Sequence, residues 1–222
     1  MSILVIAEHN NQQLNTATLS ALAAAVELGG DIDLMVLGSG CQAVIEQASQ
    51  IACITMVIAA DHSACEHFLA ENIAPLIADN ASGYTHILAA ATTTAKNIMP
   101  RVAASLDVQA ISDISAVISE NTFKRPIYAG NLIATVQSND AVKVITVRAT
   151  AFDAVEATGG SAAVETLDSV NDMGISSFAS EQLAESDRPE LTAANIVVSG
   201  GRGMASGDNF DLLYRIADKL GA

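Results

Sequence analysis

The chain has 222 residues, half of them apolar, and a formal charge of −15 from 10 Lys and Arg against 25 Asp and Glu. This length can bury the core of one large domain, or of one domain and part of another. The acidic surface argues against binding to nucleic acid or to anionic lipid, because both are themselves negatively charged. It suits solubility or a basic protein partner.

Cysteine usage and the N-terminus indicate a reducing compartment. Cys41, Cys53 and Cys65 are an odd set without metal-binding spacing. Met1 leads directly into SILVIAE, which is typical of a first strand rather than of a targeting segment. The apolar runs are broken well before bilayer length. We therefore expect a soluble, cytoplasmic protein without membrane insertion, in which Cys53 packs as a small hydrophobe.

Strand and helix signals alternate over residues 2 to about 110. The apolar runs SILVIAE, IDLMVLG, ITMVIAA and YTHILAAAT predict four strands. NTATLSALAAAVELGG and CQAVIEQAS predict the first two helices. Short buried strands separated by helices imply a mostly parallel, twisted sheet flanked by helices.

The helix patterns predict which side chains face the core. Leu19, Leu22 and Val26 share a face of the first helix, and Gly29 is its expected C-cap. A fourth helix, predicted from Thr94 to about Leu106, contains Pro100, which should kink it or restart it. The third helix shows the helical spacing at Leu69, Ile73, Leu76 and Ile77.

The pattern changes after Val108. AISDISAVISE, RPIYAGNLIATVQS and VKVITVRAT are β-branched, partly alternating runs joined by polar turns. We predict antiparallel strands that extend or cover the parallel sheet. Residues 152–189 are richer in polar residues and Gly, and SEQLAESDRPEL, at 180–191, predicts a linker between domains.

The strongest local signal for a binding site is SGGRG, at residues 199–203. Gly200, Gly201 and Gly203 permit a tight turn and close approach of a ligand. A helix expected from about Asn209 to Leu220 would point its N-terminal N–H groups at the ligand, and Arg202 would add a donor fork suited to phosphate or an electron-rich ring. The fit to the dinucleotide fingerprint is imperfect, so a tight connection without a ligand is an equal alternative.

Two further segments each allow two interpretations. Thr92, Thr93 and Thr94 follow the fourth predicted strand, where they and Lys96 would hold a phosphate; alternatively Thr93 or Thr94 caps the helix and Lys96 points to solvent, which we favour. FKRPIYAGN, at 123–131, is either a solvated strand end or a contact surface, because Tyr and Arg are common interface anchors. His9, His62, His67 and His86 are scattered, which indicates structural or surface roles rather than metal binding.

Several segments together resemble the α subunit of electron transfer flavoproteins. They are LDVQAISDISAV, FKRPIYAGNLIATV, VKVITVRATAFDA and VVSGGRG with the following NFDLLYRIADKLGA. The resemblance runs in order along the whole chain. It implies an amino-terminal α/β domain similar to adenine-nucleotide hydrolases over 1–188, and at 189–222 the start of a doubly wound FAD-binding domain.

The resemblance also implies a function. Such an α subunit pairs with a β subunit that holds AMP, and the heterodimer is an electron carrier rather than an enzyme. FAD takes electrons from primary dehydrogenases, such as acyl-CoA dehydrogenases of fatty acid β-oxidation, and passes them to a membrane quinone oxidoreductase. The basic FKRP segment is then a candidate contact with the β subunit. The rival interpretation is a stand-alone adenine-nucleotide-binding module that uses Thr92–Thr94 and Lys96.

The family's GGRG loop matches Gly200, Gly201, Arg202 and Gly203, and the resemblance implies that Arg202 contacts FAD. Family members continue well beyond ADKLGA with most of the FAD domain. We therefore expect a truncated chain, in which residues after about 189 are a stub that binds no flavin by itself.

Overall fold

The computed structural model describes residues 1–182, 191, 194 and 196–222. They form two compact units, Met1–Phe178 and Ala179–Ala222. The predicted domain boundary after residue 188 lies outside the described residues, and so does most of the predicted linker.

The first unit contains ten strands and four α-helices. The strands are β1 (Ser2–Ile6), β2 (Asp31–Gly38), β3 (Met56–Asp61), β4 (His86–Ala90), β5 (Ala110–Ile114), β6 (Ala116–Ser119), β7 (Thr122–Ile127), β8 (Leu132–Gln137), β9 (Lys143–Val147) and β10 (Ala163–Thr166). The helices are α1 (Thr16–Leu28), α2 (Gln42–Ser49), α3 (Ala70–Asp79) and α4 (Thr93–Ser105).

Seven strands form one sheet in the order β10-β3-β2-β1-β4-β9-β5, and all of its pairs are parallel. Strands β6, β7 and β8 form a separate antiparallel sheet. The predicted α/β class, with a mostly parallel sheet and added antiparallel strands, is confirmed.

The prediction for residues after 108 was only partly right. The run at 116–137 is antiparallel, but β5 and β9 are parallel members of the main sheet. Strand β9 inserts between β4 and β5, where both of its edges find partners. Strand β10, which pairs with β3, was not predicted because all four of its residues are exposed and show no apolar pattern.

The helices cover both faces of the main sheet. Buried residues of α1 and α2 belong to the core on one face, and those of α3 and α4 to the core on the other. The predicted apolar face of α1 was wrong in one part, since Val26 is 48% exposed. Alanines take four of the seven buried positions of α1 (Ala17, Ala21, Ala24 and Ala25), and their small side chains let the helix lie close to the sheet.

The predicted fourth helix does not restart at Pro100. Helix α4 runs through Pro100 from Thr93 to Ser105. Pro100 removes one backbone hydrogen bond, but Met99 and Val102 on either side are buried in the core and hold both turns in place. The predicted C-cap of α1, Gly29, is confirmed, with φ +79°.

Asn72 of α3 fixes the segment that follows β10. Its Nδ2 donates to the Ala64 carbonyl at 3.0 Å and to Asp172 Oδ1 at 3.2 Å, and its Oδ1 accepts from the Met173 amide at 3.0 Å. Nearby, the rings of His67 and Phe178 stack with centroids 3.7 Å apart. This buried amide therefore ties residues around 172 to the surface of α3.

The second unit has little regular structure among its described residues. A 3-10 turn at Arg202–Met204 and another at Gly207–Phe210 precede α5 (Asp211–Leu220), which Gly221 caps in the left-handed conformation. Residues 197–200 are irregular. No helix among the described residues is long and apolar enough to cross a bilayer.

We predict that Asn72→Ala releases residues around 172 while leaving the sheet intact. Losing these side-chain hydrogen bonds should cost about 1–2 kcal/mol, and protection of the Met173 amide should fall in hydrogen exchange. Asn80→Ala is the control, because Asn80 Nδ2 bonds only its own helix, at the Leu76 carbonyl. Unchanged exchange at Met173 in Asn72→Ala would show that other contacts hold the segment.

Candidate functional site

The residues predicted to bind a ligand lie in two places. Thr92–Thr94 and Lys96 belong to the first unit, at the carboxyl end of its sheet, and the glycine-arginine loop belongs to the second. Each place is described by itself.

In the first unit, strand order reverses between β1 and β4. In doubly wound sheets, ligands bind outside the carboxyl ends of strands at such a reversal. Glu8 and His9 follow β1, and Thr92 follows β4, so these three residues occupy the position where a ligand would be expected.

Thr92 caps α4 and also bonds Glu8. Its Oγ1 accepts from the Ala95 amide at 3.1 Å and donates to Glu8 Oε2 at 2.9 Å. The prediction that Thr93 or Thr94 caps the helix was therefore wrong by one residue, because α4 begins at Thr93 and its N-cap is Thr92. Lys96 is exposed, as the capping interpretation expected.

Two features make this position unsuitable for a phosphate: Glu8 already accepts the Thr92 hydroxyl, and the adjoining cavity is small. Burial raises the pKa of Glu8, although hydrogen bonds from Thr92 and Thr94 act in the opposite direction. The adjoining cavity, lined by Glu8, His9 and Thr94 among apolar residues, has a volume of about 30 Å³. That is far below the roughly 300 Å³ at which ligand pockets begin.

His9 is a buried neutral base beside this cavity. Its Nδ1 accepts from the Asn11 amide at 3.1 Å, its Nε2 is buried without a hydrogen-bond partner, and its ring meets Phe68 edge-on. Burial lowers its pKa to about 4, against a smaller opposing effect of the Leu37 carbonyl. His9 is therefore structural, one of the two roles, structural or surface, that the sequence indicated for the histidines.

In the second unit, the three glycines of the loop have different surroundings. A Cβ at Gly200 would lie 2.4 Å from Leu213 Cδ1 and 3.0 Å from Met204 Cγ, so this glycine permits the loop to pack on α5. Gly201 and Gly203 have nothing within 4 Å of such a Cβ. The loop therefore leaves open space on both sides of Arg202, as a ligand approaching the backbone requires.

Arg202 is exposed and forms no ion pair with any residue that the structure describes. An apolar pocket of about 380 Å³ lies in the same unit, lined by residues that include Val198, Gly200, Leu213 and Tyr214. The loop thus combines a free cationic donor fork with a nearby apolar wall, which suits a ligand that has both charged and aromatic parts.

The helix after the loop starts later than expected. Helix α5 begins at Asp211, and Ser206 Oγ accepts from the Asp208 amide at 3.3 Å in the preceding turn. The carboxylates of Asp208 and Asp211 already complement the positive end of the helix dipole. Arg202, rather than the N-terminus of α5, is therefore the main group that can attract an anion.

The sequence reasoning missed an ion pair at the base of the antiparallel sheet. Arg148, just after β9, donates Nε to Asp113 of β5 at 3.2 Å, and its Nη2 pairs with the same carboxylate. Arg148 lowers the pKa of Asp113. The pair links β5 and β9 at their carboxyl ends, and its two residues are 35 positions apart in the sequence, so only the folded structure reveals it.

Among the described residues, no group of His, Cys, Asp or Glu could hold a metal ion. Cys53 is half-buried against the core, as predicted, and all three cysteines are free.

We predict a pH-dependent stability contribution from His9. Because its folded pKa of about 4 lies below the ordinary 6.5, the folded state resists protonation, and stability is lost as pH falls from 6.5 to 4. The difference in unfolding free energy between wild type and His9→Gln should shift by about 3 kcal/mol between pH 7 and pH 4. Chemical denaturation measures it. A flat difference for His9→Gln would refute the burial argument.

Comparison with known proteins supplies the family. The electron transfer flavoprotein domain matches residues 3–171, and the electron transfer flavoprotein FAD-binding domain matches residues 190–222. The α subunit of the electron transfer flavoprotein from Pseudomonas aeruginosa is 61% identical over 222 residues, which is 100% of this chain and 72% of that protein.

Two other α subunits agree along the whole chain. That of Paracoccus denitrificans is 47% identical over 222 residues, covering 100% of this chain and 72% of the relative. That of Bradyrhizobium diazoefficiens is 50% identical over 223 residues, covering 100% and 71%. A chain whose two parts match both family domains, and whose relatives agree from end to end, belongs to the electron transfer flavoprotein family as an α subunit.

Proposed function

We propose that this α subunit works in a heterodimer with an electron transfer flavoprotein β subunit, as a carrier of electrons rather than as an enzyme. Its FAD takes electrons from primary dehydrogenases, acyl-CoA dehydrogenases of fatty acid β-oxidation among them. It passes them to a membrane quinone oxidoreductase. The carrier works in the cytoplasm, neither inserting into the membrane nor binding nucleic acid.

The observation that carries the proposal is the loop at 200–203. Gly201 and Gly203 have open space where other residues carry Cβ, and Arg202 stands exposed between them. This loop lies within the part of the chain, 190–222, that matches the family's FAD-binding domain. We therefore assign FAD contacts to Gly200, Gly201, Arg202 and Gly203.

The two parts of the chain have different tasks in this proposal. Residues 1–188 are the scaffold that packs against the β subunit, and residues 189–222 begin the FAD-binding domain. The described residues 196–222 contain a single α-helix, which is too little to enclose FAD. They supply one part of the flavin site, and we expect this chain alone to bind no flavin.

When bound, FAD supplies the redox chemistry. The chain's own contribution is to let the cofactor approach the backbone at Gly201 and Gly203 and to place a permanent positive charge beside it. If Arg202 lies near the flavin ring, that charge stabilises reduced, anionic flavin; near the pyrophosphate it mainly adds affinity.

We expect Arg202→Ala to weaken FAD binding in the gene product assembled with its β subunit. Loss of a charge-assisted hydrogen bond should lower the affinity roughly 10- to 100-fold, while Arg202→Lys should retain part of it. Flavin fluorescence titration of the apoprotein measures this. Arg215→Ala, in the exposed part of α5, is the matched control. Equal affinity in wild type and Arg202→Ala would remove Arg202 from the site.

The rival function, adenine-nucleotide binding at Thr92–Thr94 and Lys96, lacks geometric support. Glu8 already accepts the hydrogen bond of the Thr92 hydroxyl, and the adjoining cavity has a volume of only about 30 Å³. We expect no saturable binding of AMP or ATP to this chain in calorimetry. Saturable binding that is lost in Thr93→Val, with Ser105→Val as a control at the far end of α4, would establish the rival.

A further inference from the structure

The small cavity beside the carboxyl end of β1 is bordered by a buried polar atom that needs a hydrogen bond. His9 lines this cavity and is only 8% exposed. Its Nε2 is buried and makes no hydrogen bond with any residue that the structure describes. Buried polar atoms are nearly always bonded to protein or to ordered water, so this nitrogen requires a partner.

The position of the proton on the His9 ring follows from the other ring nitrogen. Nδ1 accepts a hydrogen bond from the Asn11 amide at 3.1 Å, so it carries no proton. Burial lowers the pKa of His9 to about 4, and the ring is therefore neutral near pH 7. In a neutral ring whose Nδ1 is an acceptor, Nε2 carries the proton. The partner that Nε2 requires is thus a hydrogen-bond acceptor.

The surroundings of the His9 ring prevent it from turning towards an acceptor in the described chain. Asn11 holds Nδ1, and Phe68 meets the ring edge-on with the centroids 5.1 Å apart. A Cβ at Gly38 would lie 2.8 Å from Cε1, so the end of β2 closes a third side. The Leu37 carbonyl is near enough to raise the pKa of His9, but it forms no hydrogen bond with Nε2. The acceptor must therefore come from the cavity.

The cavity has the size and the lining that suit one water molecule. Its volume of about 30 Å³ exceeds the roughly 10–15 Å³ that a buried water requires, and it is far too small for a nucleotide. Most of its lining is apolar, but Glu8 and Thr94 border it together with His9. A buried water needs roughly two to four polar partners, and a carboxylate, a hydroxyl and an N–H supply three.

We infer that this cavity is a binding site for one ordered water molecule that bridges His9 and Glu8. The water accepts a hydrogen bond from His9 Nε2, donates one to the Glu8 carboxylate and donates its second hydrogen to Thr94 Oγ1. Glu8 is also bonded to Thr92, the N-cap of α4. The water thus completes a chain of hydrogen bonds from the residues after β1 to the start of α4.

A crystal structure of the gene product at atomic resolution tests this site directly. We expect one peak of electron density within about 2.7–3.2 Å of both His9 Nε2 and a carboxylate oxygen of Glu8. A cavity without density would overturn the proposal. So would a His9 ring turned to bond the Leu37 carbonyl through Nε2, because the ring would then need no water.

Nuclear magnetic resonance of this chain, labelled with nitrogen-15 only in its four histidines, provides a second measurement. The His9 signal, assigned by its loss in His9→Gln, should show the tautomer with the proton on Nε2. That proton should give a rotating-frame Overhauser cross-peak to water, of the sign that excludes chemical exchange. The other tautomer, or no such cross-peak, would refute the site.

A pair of threonine variants tests the third partner of the water. In Thr94→Val the water loses one acceptor, so exchange of the His9 Nε2 proton with solvent should become roughly two- to tenfold faster. Thr93→Val is the matched control, since the neighbouring Thr93 is exposed and does not line the cavity. Equal exchange rates in the two variants would show that Thr94 does not hold the water.

Discussion

Burial of the main sheet on both faces is the constraint on which the rest of the structure depends. Ile3, Leu4 and Val5 are all fully buried, although successive side chains of a strand point to opposite faces. Helices must therefore cover both sides of the sheet. Glu8, just after β1, is partly buried and therefore needs hydrogen bonds. It accepts one from the Thr92 hydroxyl, which is then not available to a nucleotide at this position.

The sequence predicted those parts of the fold in which local pattern and tertiary environment agree. The four strands before residue 91 are continuous apolar runs, and a buried parallel strand requires that composition. The direction of β9 was not predictable, because the β-branched run at 143–147 fits parallel and antiparallel pairing equally. The exposure of Val26 was not predicted, because alanines rather than larger apolar side chains form most of the buried face of α1.

The candidate site shows the same division. The loop at 200–203 was predictable from the sequence. Its glycines permit backbone conformations that other residues avoid, and the arginine between them carries a positive charge. The separate role of Gly200 depends on Leu213, and the bond between Thr92 and Glu8 joins residues 84 positions apart. Such contacts join residues that are distant in the sequence, so no local sequence pattern predicts them.

The topology also explains why the exposed, apolar β7–β8 hairpin is compatible with a stable domain. The antiparallel strands are inserted between β5 and β9, so the chain returns to the main sheet after them, and the Asp113–Arg148 pair links the carboxyl ends of β5 and β9. We therefore expect changes in the loop between β7 and β8 to leave the core pairing of β4, β9 and β5 undisturbed. An insertion anchored in this way can expose apolar side chains, such as Tyr128, Leu132 and Ile133, which the main sheet, covered on both faces, cannot.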